Sequence, residues 1–177
     1  MSVATPQAPK KSPLDTAANI AIILVCAIAA VVLIRNQFFQ PRPPAPPPQV
    51  VKGEQFAALK QAVPAGSNRA LVVAVSPTCH FCNDSLPFYK HLVDERNQKG
   101  SAVKFVAAVP TEEAKAPESE KFVNAGVTPD NVVHIDFSSI KVPGTPTLLL
   151  VDNNGKVLNV WIGKLDEGGE KEVLKVL

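Results

Sequence analysis

Hydrophobic positions fall into two unlike patterns along the chain. Residues 17–34 are apolar without a break except at Asn19. A helix of that length rises roughly 27 Å, close to the hydrocarbon thickness of a bilayer, so the run predicts one membrane crossing. A cleaved signal peptide is the competing reading, because Lys10 and Lys11 precede the run and Ala29 and Ala30 offer small residues. The apolar stretch is long for such a segment, however, and it continues through Val31, Val32, Leu33 and Ile34 without a cleavage pattern, which favours a retained anchor.

Beyond the run the periodicity becomes that of short alternating elements. Phe56, Leu59 and Val63 share helical spacing before Pro64 and predict a helix over residues 54–63. Residues 70–75 are apolar and 103–109 are apolar except for Lys104; both runs are bounded by turn-formers and rich in β-branched side chains, as fully buried strands are. Helical patterns occupy 80–97, stopped by Gly100, then 117–124 and 165–177, and residues 132–135 form a short strand. Strands over 147–151 and 156–162 are joined through Asp152-Asn153-Asn154-Gly155, whose Asn-Gly pair favours a hairpin. This order predicts an α/β sheet covered on both faces.

Between span and domain, residues 41–48 are proline except for Arg42 and Ala45. Proline supplies no backbone donor, so this stretch predicts a polyproline II spacer of roughly 25 Å rather than a ligand for a proline-reading module. The expected organisation is a short cytoplasmic tail (1–16), a transmembrane helix (17–34), a proline-rich linker (35–50) and one domain (51–177). No internal repeat is present.

Charge narrows the function classes. Residues 50–177 carry 14 Lys or Arg against 15 Asp or Glu, so the domain has no basic excess, and nucleic acid is not expected as a partner. Around the span, Lys10, Lys11 and the amino terminus face Arg35 and Arg42, with Asp15 on the first side. The slight basic excess predicts a cytoplasmic tail and an exported domain. Phe38 and Phe39 are placed to sit at headgroup level.

There are three cysteines. Cys26 lies inside the apolar run and reads as a packing residue. Cys79-His80-Phe81-Cys82 follows a predicted buried strand and opens a predicted helix, the context that makes a C-x-x-C informative. Two cysteines three apart at a helix start can close a small disulfide while the first stays exposed. Free N–H groups there favour a thiolate, so Cys79 is expected to have a depressed pKa and to attack, and Cys82, one turn inside, to resolve the mixed disulfide. A protonated His80 beside Cys79 would favour the thiolate further and make the disulfide more oxidising. His91 and His134 have no partner spacing that suggests a site and read as structural.

At these residues the chain resembles the thioredoxin superfamily, over most of residues 50–177. Pro87 falls five residues after Cys82, where thioredoxins carry the proline that kinks the active-site helix. Thr145-Pro146 precedes a strand as the family's cis-proline does, and Gly163 follows the last strand. The anchor, Gly144-Thr145-Pro146-Thr147 and Asp152-Asn153-Asn154-Gly155 look most like the membrane-tethered reductases of cytochrome c maturation. The resemblance implies a thioredoxin-like fold, a central mixed sheet flanked by helices, with a cis Pro146 against the disulfide. It also implies that Thr145, Pro146 and Thr78 meet the substrate, and that His80, Phe81 and Pro87 tune the redox pair. Two positions depart from the pattern: Val73 stands where thioredoxins place a buried aspartate, leaving the proton route unassigned, and Thr78 stands where they place a tryptophan.

The expected function is thiol–disulfide exchange with disulfide-containing or dithiol protein clients, with a membrane redox partner. The expected setting is a single pass through a bacterial-type cell membrane, with the carboxy-terminal domain extracytoplasmic (periplasmic). The resemblance favours a reductase and His80 an oxidant; reduction potential decides the direction. No cofactor beyond the Cys79–Cys82 disulfide and no metal are expected, since a structural zinc site needs four ligands and no second C-x-x-C or His pair occurs. The rival readings are a non-enzymatic thioredoxin-like binding module, a copper or zinc chaperone using the same cysteines, and peroxide reduction.

Overall fold

The computed structural model describes residues 13–38 and 48–177. Residues 1–12 of the expected tail and residues 39–47 of the expected linker, which hold most of the proline spacer, lie outside the described residues. The chain divides between Pro46 and Pro47 into two units.

The first unit contains α1 (Pro13–Phe38), which extends the expected span at both ends. Within it, Ala17–Arg35 is long and apolar enough to cross a membrane, and its side chains are exposed throughout.

The second unit is built on five strands, β1 (Arg69–Ala74), β2 (Lys104–Val109), β3 (Asn131–His134), β4 (Thr147–Asp152) and β5 (Val157–Ile162), in the order β3-β2-β1-β4-β5. β1 pairs in parallel with β2 and β2 with β3, whereas β4 runs antiparallel to both β1 and β5. The sheet is therefore mixed. Side chains alternate across β1, so Leu71, Val73 and Val75 enter one core and Ala70 and Val72 the other. The first core is closed by α3 (His80–Asp84), α4 (Leu86–Gln98), α5 (Lys115–Asn124) and α6 (Glu167–Leu174), through residues such as Cys82, Tyr89, Phe122 and Val173. The second is closed by α2 (Ala57–Ala62), with Leu59 and Ala62, and by Ile135 and Ile140.

The helices of this unit differ from the expected boundaries, and α5 begins two residues earlier than expected, at Lys115. α2 is shorter because Gln55 bridges to Lys156 and Phe56 is extended, with φ −130°. α6 begins at Glu167, where the Asp166 carboxylate accepts the Gly169 N–H at 2.8 Å and caps the helix. The helix expected over 80–97 is two helices meeting at Ser85. Pro87 has no N–H for the carbonyl of Asn83 one turn earlier, so the ladder breaks there. The Ser85 hydroxyl donates instead to Phe81 O at 2.8 Å.

The β4–β5 hairpin forms around the Asn-Gly pair. Asp152 Oδ1 accepts the N–H groups of Asn154 and Lys156 at 2.8 and 3.0 Å. Gly155 has φ +78°, and a Cβ there would lie 2.3 Å from Phe56 O, so only glycine lets α2 dock on the turn.

Candidate redox site

The C-terminal end of β1 delivers the chain through Ser76, Pro77 and Thr78 to Cys79, which caps α3. Cys79 and Cys82 form a disulfide with a Cα–Cα distance of 5.3 Å. Their environments differ: Cys82 is 1% exposed and belongs to the first core, whereas Cys79 is only partly buried at its edge. The Cys82 N–H lies 3.1 Å from the Cys79 sulfur, and the carbonyl oxygen of Thr145 lies 3.3 Å from it on another side. After reduction the amide donor would favour a Cys79 thiolate, and the carbonyl would favour the S–H form.

The Thr145–Pro146 peptide bond is cis, as the resemblance implied. Pro146 is buried and Thr145 half-buried, and the Gly163 N–H donates to Pro146 O at 2.7 Å, which ties this loop to the end of β5. Thr147 is fully buried, and its hydroxyl donates to Gly144 O at 2.7 Å, closing the loop from the other side.

The remaining expected site residues lie around this centre. Thr78 is exposed, its hydroxyl 3.4 Å from that of Ser76. Phe81 is 57% exposed beside the disulfide. Pro87 is exposed at the start of α4. The His80 side chain is 81% exposed, with Nε2 3.6 Å from Asp84. Val73 is fully buried in the same core as Cys82.

Two buried polar groups in this region were not among the expected site residues. Tyr89 is fully buried, and its hydroxyl has no hydrogen-bond partner among the described residues. Burial pushes its phenol pKa well up, more than neighbouring Ser85 offsets, and the negative charge of Glu118 adds to the rise. Glu118 is itself 1% exposed, paired with Lys121 at 3.1 Å. The sequence signal for it was present: an acidic residue four after Ala114 and four before Phe122, on the apolar side of a helix. Among the described residues, no three His, Cys, Asp or Glu side chains converge in a way that would hold a metal ion.

A mixed sheet delivering a C-x-x-C disulfide to the start of a helix, opposite a cis X-Pro loop, defines the thioredoxin-like class. Residues 55–175 match the family model described as Thioredoxin-like domain, and the chain belongs to that family. No curated protein matches the chain in sequence. Among solved structures it is similar to a Chlorobium tepidum protein assigned as the thiol:disulfide interchange protein DsbE, with 21% identity, a TM-score of 0.51, and coverage of 72% of this chain and 95% of that one. A thiol:disulfide interchange protein from a Bacteroides species matches at 15% identity and a TM-score of 0.51, over 71% of this chain and 90% of that one. A protein from Bacteroides thetaiotaomicron assigned as a protein disulfide isomerase gives 14% and 0.50, over 62% and 71%. At these identities the likeness is one of fold.

Proposed function

We propose that this chain is a membrane-anchored thiol–disulfide oxidoreductase that exchanges disulfides with extracytoplasmic protein clients. The observation carrying this reading is the unequal burial of a bonded pair: a partly exposed Cys79 sulfur facing the Cys82 N–H, and a Cys82 that is 1% exposed behind it. An exposed sulfur is open to a second protein, and a buried one is shielded from it.

In the reducing direction the Cys79 thiolate attacks one sulfur of a client disulfide. A Cys79–client bond forms, the client S–S bond breaks, and the other client sulfur leaves as a thiolate. Deprotonated Cys82 then attacks the Cys79 sulfur, the Cys79–Cys82 bond forms, and the second client thiolate is released. Two electrons have passed to the client. A dithiol partner, which an anchored domain would meet at the membrane, returns them by the same exchange. Oxidation of a client dithiol uses the same atoms in reverse, and the potential of the pair against its partners sets the direction.

Anchoring rests on α1, whose apolar side chains from Ile20 to Ile34 stand exposed and are matched in length to a bilayer. The extracytoplasmic side rests on Lys10 and Lys11 ahead of the span.

Trapping tests the reading. A full-length Cys82→Ser variant should accumulate mixed disulfides with client proteins, visible on non-reducing gels and lost on reduction, and adding Cys79→Ser should abolish them. A Cys82→Ser protein that captures nothing in cells would point to a binding module instead.

A further inference from the structure

The inward face of α5 continues from Ala114 at its N-cap through Glu118 to Phe122, each four residues from the next, and they are 8%, 1% and 0% exposed. A carboxylate thus occupies a core position where an apolar side chain would complete the face. A charge in such a place is disfavoured unless it is paired. Its partner is Lys121, one turn on, whose ammonium donates to Glu118 Oε2 at 3.1 Å and to Pro77 O at 3.0 Å. Pro77 lies two residues before Cys79, and the Cys79 N–H in turn donates to Ser76 O at 3.0 Å. A continuous set of contacts therefore runs from a buried carboxylate to the backbone that carries the exposed sulfur.

We propose that Glu118 and Lys121 are a positioning pair for the Cys79 sulfur. Lys121 fixes the Ser76-Pro77-Thr78 loop through Pro77 O and lends its positive charge to the thiolate, while the Glu118 carboxylate beside it moderates that charge. The inference deepens the exchange reading and rests on it. The other ionisable groups around the loop are arranged differently. His80 and Asp84 on α3 pair with each other, and Lys164, ahead of α6, reaches Asp84 at 3.4 Å; their side chains are 81%, 35% and 48% exposed. Water screens those three more than it screens Lys121, at 22%, or Glu118. The Tyr89 hydroxyl on α4 is buried near Glu118 and is uncharged at neutral pH.

The test is the pH dependence of iodoacetamide alkylation, on the full chain in detergent, in a Cys26→Ala, Cys82→Ser background where Cys79 is the sole thiol. Lys121→Met should move the alkylation midpoint to higher pH and slow the reaction below the midpoint by about threefold, and Glu118→Gln should move it to lower pH. Lys121→Arg, which keeps the charge and a donor, should restore the parent profile. A packing role alone predicts no opposed shifts, so midpoints that stay put, or move in the same direction, overturn the proposal. Lys121 is partly exposed, and the Met and Arg variants decide the matter by themselves if Glu118→Gln does not fold. Alkylation needs no client: a protein that traps no clients yet shows the opposed shifts would keep this pair and lose the exchange reading.

Discussion

The Cys82 N–H stands 3.1 Å from the Cys79 sulfur, so the cysteine proposed to resolve a mixed disulfide also supplies a backbone donor to the one proposed to form it. The same turn buries Cys82 to 1% exposure and leaves Cys79 at the edge of the core. Reactivity of the reduced pair should be correspondingly unequal. In a Cys26→Ala background, Cys79 should alkylate at least about tenfold faster than Cys82 near neutral pH, and its profile should have a midpoint below the roughly 8.5 of a free cysteine. Comparing Cys79→Ser with Cys82→Ser separates the two rates, and equal rates would remove the assignment of attacking and resolving sulfurs.

How much of this was legible in the sequence depends on what each pattern encodes. Residues 70–75 announced a central strand because every one is apolar, and all six are fully buried. The Asn154-Gly155 pair announced its turn because the backbone there needs a positive φ. The redox pair was legible for a similar reason, since spacing and the flanking strand and helix define it together. The break at Ser85 was legible only through Pro87 and the kink that the resemblance implied there, because apolar periodicity runs on through two helices that share one face. Glu118 was hidden by a boundary. With the helix expected to start at 117, Ala114 fell outside it, and the acidic residue lost the neighbour that shows it to be on the inward side. His80 was singled out by its adjacency to Cys79, whereas the ion partner that its ring reaches, Asp84 one turn on, follows from helical spacing.

Away from the site, Asp130 joins three elements and should govern part of the acid stability. Its carboxylate accepts the Phe105 N–H at 2.8 Å, pairs with Arg96 from α4, and has Lys104 at 3.4 Å. Partial burial works against the charged form, but the Phe105 N–H and the two cations outweigh it, and the carboxyl titrates below its ordinary range. A depressed folded-state pKa contributes stability that is present above the unfolded value, near 3.9, and is lost as pH falls through the folded one. Asp130→Asn should therefore destabilise the domain by about 1–3 kcal/mol at neutral pH. Its stability should also fall less than the parent's as the pH drops below about 4. The single tryptophan, Trp161, is 7% exposed and offers a fluorescence readout for denaturation at each pH. Parallel pH profiles for the two proteins would show that Asp130 is not the group responsible.

The anchor can be tested through the same physical term that would hold it in lipid. The side chains of Val25 and Ile28 are 66% and 63% exposed, in the middle of the apolar stretch of α1. Placing lysine at both costs roughly 5–7 kcal/mol for insertion at the centre of a membrane helix. That is enough to reverse a marginal preference for the bilayer, whereas a helix merely resting on a membrane surface could turn the charges to water. Wild-type chain should stay in the membrane pellet through alkaline carbonate extraction, and the Val25→Lys, Ile28→Lys double variant should move to the soluble fraction. Its domain should remain folded by Trp161 fluorescence, since α1 belongs to a separate unit. Release of the wild-type chain by carbonate, or full retention of the double variant, would mean that α1 does not span the bilayer, and the membrane setting proposed for the exchange chemistry would fall with it.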